Sequence, residues 1–149
     1  HIVQGLMLEM DNRKKRSVGY AVAYSDGSKW YSRSMALLGT LVLLFLVLHL
    51  SDFWFPNRAH QNFVLGEEID LYAKMKETFS VLWVVIVYVL GCLSLGYHLA
   101  HGFQSAFRTV GVHNRKYNQM LVSLGLGFSV VITLLFALMP LSFYFGWIN

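Results

Sequence analysis

The chain has 149 residues, 56% of them hydrophobic, 15% aromatic and only 13% charged, whereas a soluble domain of this size carries about 25% charged residues. A water-soluble fold is excluded, and the formal net charge of +4 sits in short hydrophilic segments between long uncharged runs, as a hydrocarbon layer dictates. That charge is loop bias and does not point to nucleic acid; the lone Cys92 has no partner for a disulfide and reads as a small packing residue.

His1 to Met10 is an apolar stub followed at once by the hydrophilic DNRKKR of Asp11 to Arg16. A span needs about 20 residues, so residues 1–10 read as the end of a helix whose beginning lies outside this sequence, and they lack the basic-then-apolar order of a signal peptide. Within a cytoplasmic loop over 11–33, the segment Ser17 to Arg33, rich in Gly, Ser, Tyr and charge, reads as a loop or a short hairpin lying against the surface. The first full span is predicted over 34–55, stopped by Pro56 after the interfacial aromatics Phe53, Trp54 and Phe55.

A polar loop of nearly balanced charge follows from Asn57 to Glu77, and the second span is predicted over 78–107, long enough to tilt or project. The third covers 118–145, with Pro140 expected to kink its last turns. Trp54, Trp83 and Trp147 read as interfacial belt residues, the run VLWVVIVYVLG (Val81 to Gly91) as ordinary lipid- or helix-facing surface, and Gly91 and Gly96 as helix-contact positions. The predicted fold is an all-α transmembrane helical bundle forming one domain over 1–149, with three full spans and the C-terminal half of a fourth.

Lys and Arg accumulate on the cytoplasmic side. Arg13, Lys14, Lys15, Arg16, Lys29 and Arg33 therefore place the loop 11–33 inside, and Arg108, Arg115 and Lys116 do the same for the loop after the second span. The loop 57–77 and the C-terminus are then outside.

Three histidines, His1, His49 and His98, interrupt the apolar stretches. Ionisable groups at such positions point to haem ligation or another buried redox or proton role. His1 lies ten residues before Asp11 and His98 ten before Arg108, so each stands about 15 Å above the inner loops, while His49 stands at about 24 Å. Two imidazoles at matching depth on separate helices suit a haem iron. Each has a glycine four residues on, Gly5 in HIVQG and Gly102 in HLAHG, on the same helix face. A missing side chain there leaves room for a macrocycle, or serves helix contact.

His101, at about 10 Å, is a rival ligand or a hydrogen-bonded histidine near a propionate. His60 and His113 fall in predicted loops and read as solvated. Asp52 is either part of a quinol site at the outer edge or an interfacial aspartate that caps nothing. Arg108, with Arg13 and Lys14, either meets haem propionates or simply anchors the inner face.

HIVQGL with its basic turn and VGYAV, then FLVLHLSDFW, then LGYHLAHGFQSAFRTVG, resemble the single-chain, di-haem cytochrome b558-type membrane anchor of succinate dehydrogenase and fumarate reductase, over nearly the whole chain. The resemblance implies a five-helix fold, of which this chain holds the end of the second helix and the last three. It implies that His98 and His1 are axial ligands of an inner haem b and that His49 ligates an outer haem b, whose other ligand belongs to a helix not in this sequence. Gly96 stands where some relatives carry a glutamate linked to proton movement, so that route does not carry over.

Also implied are flavoprotein and iron–sulfur partner subunits, a membrane quinone (menaquinone), the bacterial inner membrane, and electron transfer between the iron–sulfur subunit and quinone through haem, with succinate chemistry in the partners. Rival readings are a cytochrome b anchor of another respiratory dehydrogenase, and a non-haem transport or scaffold protein.

Overall fold

The computed structural model describes residues 2–15, 35–63, 69–111 and 115–148, and every regular element among them is helical. They are α1 (Ile2–Lys15), α2 (Met35–His49), a π-helical turn (Leu50–Trp54), α3 (Phe55–Phe63), α4 (Leu71–Thr78), α5 (Leu82–Thr109) and α6 (Arg115–Tyr144). Three continuous helical stretches are long and apolar enough to cross a membrane: Leu37–Asn62, Leu82–Thr109 and Tyr117–Tyr144, of 26, 28 and 28 residues. At 1.5 Å per residue they measure about 39–42 Å against a hydrocarbon core of about 30 Å, so each tilts or projects beyond it. The protein is an all-α, multi-pass membrane bundle.

The helix ends differ from those expected, for identifiable reasons. Helix α1 passes Met10 and continues to Lys15, because Asp11 to Lys15 contain no Gly or Pro and Arg and Lys are good helix formers. The first span runs through Pro56 instead of stopping there. A proline cannot donate to the carbonyl four residues back and its ring crowds that carbonyl in an α-helix. Just before it, however, the backbone widens into the π turn, in which Phe55 N–H donates to the Leu50 carbonyl. That longer reach opens the helix where the ring must fit.

The segment read as a polar loop from Asn57 to Glu77 contains α3 and α4. The Asp70 carboxylate caps α4, accepting from the N–H groups of Tyr72 and Ala73 at 3.0 and 3.1 Å, and Ile69 N–H donates to the Asn57 side chain at 3.4 Å. Helix α4 stops at Thr78 and Val81 is extended (φ −101°, ψ 115°), so the second span begins at Leu82. It ends at Thr109, where Gly111 takes φ 82° and its N–H donates to the Arg108 carbonyl. Pro140 lies inside α6.

Helix α5 is the centre, antiparallel to α2 on one side and to α6 on the other. The Phe45 ring covers Gly91, Thr133 faces Gly96 and Phe103 faces Gly125; a Cβ at any of these glycines would collide with the facing side chain. Lipid supplies no hydrophobic force between helices, so close approach at small residues holds the bundle together. The buried hydroxyls look after themselves: Ser129 donates to the Gly125 carbonyl and Thr133 to the Ser129 carbonyl, both at 2.7 Å. Phe79, Val85 and Tyr88 form the most buried cluster, closed over by Tyr72 of α4 against Phe143 of α6 at 5.5 Å between ring centroids. The described side chains of α1, Val3, Leu6 and Met7 among them, are exposed.

Candidate functional site

The span-borne histidines of α2 and α5 stand at two levels of the bundle. His98 of α5 is half-buried with its Nδ1 buried, and its ring lies against Gly39 of α2, where an added Cβ would stand 3.6 Å from Cε1 and 4.0 Å from Nδ1. A Cβ there would be in ordinary contact with the ring, so α2 sets only small bulk beside the imidazole. His101 and Gly102 follow on the same flank of α5. A Cβ at Gly102 would meet nothing within 4 Å, and the same holds for Gly5 of α1, so packing among the described residues demands neither glycine. Arg108 is exposed in the last turn of α5. His1, the expected partner of His98, lies outside the described residues, as do His113 and the side chain of Arg13; Lys14 is exposed.

His49 ends α2 at the other level. Its ring stacks on Phe45 at 6.0 Å between centroids and is flanked by Phe53 at 5.4 Å and Tyr88 at 6.2 Å, yet the residue is still exposed. Tyr88 is the hub of this cluster, meeting Phe45 and Phe79 edge-on at 5.3 and 5.1 Å. Its hydroxyl donates to Asp52 Oδ2 at 2.6 Å. The run Val81 to Gly91 faces its neighbouring helices through Val85, Tyr88 and Gly91, and among them Tyr88, only 4% exposed, has a polar partner that the sequence did not announce. That partner is Asp52. His60, expected in a loop, sits half-buried on α3.

A cavity of about 210 Å³ opens beside His49, lined by Phe53, Met75, Tyr88, Phe136 and Pro140 among others. A second, of about 460 Å³, runs as a leucine-walled groove between α2 and α5 over Gly91 and Ser94. His49 and His98 are not brought together: ten residues of α5 separate Tyr88 from His98, about 15 Å along the axis.

Among the described residues no three His, Cys, Asp or Glu side chains converge, so they form no cage for a bare ion. His49 is braced on three rings with an exposed side, and His98 has its Nδ1 edge buried.

Sequence reasoning missed Gly39 and Tyr88. Tyr88 had a usable signal, because a buried tyrosine hydroxyl needs a partner and Asp52 lies at the end of the neighbouring apolar run. Gly39 had none beyond its size. Trp54, Trp83 and Trp147 are exposed as belt residues should be. No protein-family model, curated protein or solved structure matches this chain.

Proposed function

We propose that this protein is the cytochrome b membrane anchor of a succinate:quinone oxidoreductase in a bacterial inner membrane, working with flavoprotein and iron–sulfur subunits and a membrane quinone, menaquinone. The observation that carries the reading is the placing of His49 and His98 on neighbouring apolar spans at two levels, His49 against aromatic rings and His98 against Gly39. His98, with His1, would hold one haem b and His49 the other. When bound, haem supplies one-electron transfer between the iron–sulfur partner and the quinone pool. The protein's own share is to present imidazole nitrogens, surround them with leucine, phenylalanine and tyrosine side chains, and offer the open flanks of Gly5 and Gly102 to a flat group. Arg108, exposed at the end of α5 with His101 two turns before it, is placed to meet carboxylates at the membrane surface.

The test is a dithionite-reduced minus oxidised spectrum of the protein in membranes, with haem counted per chain, for wild type and for His98→Ala, His49→Ala and His101→Ala. The expected result is an α-band in wild type, one haem lost with His98→Ala, a different one with His49→Ala, and none with His101→Ala. A wild-type protein without an α-band sinks the reading.

A further inference from the structure

The wide turn, the aspartate and the buried tyrosine form one device around His49. Phe45, His49 and Asp52 are spaced i, i+4 and i+7 and share the face of the first span that meets α5, and within the π turn Asp52 accepts from the Tyr88 hydroxyl at 2.6 Å. This side-chain hydrogen bond ties α5 to the segment bearing His49, and it spans 36 residues of sequence. Tyr88 in turn is held edge-on by Phe45, Phe53 and Phe79 at 5.3, 6.2 and 5.1 Å, so fixing its hydroxyl fixes the whole ring. His49 packs on that ring at an interplanar angle of 64° while keeping an exposed side.

We propose that Asp52 and Tyr88 are positioning residues for His49: Asp52 accepts from the Tyr88 hydroxyl, and the phenol ring so fixed sets the orientation of the imidazole. The proposal deepens the anchor reading above and rests on it for its purpose, since an axial ligand must hold one ring plane. The device itself is a property of the chain's own side chains. Asp52 has no need to touch the ligand site, because its effect passes through Tyr88.

The experiment is solid-state NMR of the protein in lipid bilayers, with nitrogen-15 in its histidines, under dithionite, where a low-spin ferrous haem is diamagnetic. His49→Gln assigns the His49 ring signals by their loss. Tyr88→Phe keeps the ring and removes only the hydroxyl, and Asp52→Asn keeps the shape and weakens the acceptor. Both are expected to move or broaden the His49 signals by more than a linewidth and to leave those of His98 in place, and the double variant should go no further than either single one. The proposal is overturned if His49 does not respond, if the two effects add, or if His98 moves as much as His49. The optical spectrum of the same wild-type sample reports separately on the anchor reading, since the histidine signals can be read whether or not an α-band is present.

Discussion

The levels of His98 and His49 hold their imidazoles in opposite ways. At His98 the neighbour on α2 is Gly39, and the ring is located by the absence of bulk. At His49 the neighbours are Phe45, Phe53 and Tyr88, with an aspartate fastening the last of them. The first arrangement sets little bulk against the ring on the α2 side, whereas the second braces the ring on aromatic neighbours. Span-borne histidines of the same chemical type can therefore differ in how strongly the fold specifies them, and substitutions should tell them apart.

The severest break is Gly96→Leu, which drives a side chain into Thr133 at the α5–α6 interface between the two levels. It should destabilise the bundle by about 3 kcal/mol, and a steric-trapping unfolding assay in bicelles should show both levels failing together. Phe45→Ala removes the ring that covers Gly91 and stacks on His49. A cost of about 2–3 kcal/mol is expected, below that of a fully buried phenylalanine because Phe45 is only half-buried, and on heating the haem lost with His49→Ala should go before the one lost with His98→Ala. Tyr88→Phe should cost about 1 kcal/mol in the same assay, the scale of one interhelical hydrogen bond in lipid, with no effect at His98. The smallest effect separates packing from ligand space. Gly102→Ala meets no neighbour, and stability should be unchanged or raised by up to about 1 kcal/mol. A haem spectrum altered at undiminished stability would assign that open flank to the ligand, and an unaltered one would remove Gly102 from the site.

What hydropathy can report was legible: the three spans follow from long runs without charge, and α6, predicted over 118–145, is Arg115–Tyr144. Helix ends and cross-helix partners were not. Pro56 is a stop signal in any single-residue reading, and only a local change of helix type, which no propensity announces, lets the chain pass it. Asp52 stands out in the sequence only as an acid beside an apolar run and Tyr88 only as a tyrosine that needs a partner if buried; that the two belong together lies in a bond across 36 residues. Gly5 and Gly102 show the reverse. Their matched spacing after His1 and His98 is plain in the sequence, but nothing packs against either, so the spacing has to be tested by function.

The π turn also makes the first span a helix with two phases. Up to His49 its residues follow the ordinary α-helical rotation that presents Gly39 and Phe45 to α5, and after Leu50 the phase is reset before Pro56 resumes an α-helical course. One residue of surplus in the turn, as in any such bulge, is what separates the phases. Deleting a single residue between Leu50 and Trp54 would leave the hydrophobic profile of the span almost untouched while rotating everything beyond it by about 100°, so two chains that look alike by hydropathy could differ in whether this end of the bundle faces its neighbours or the lipid.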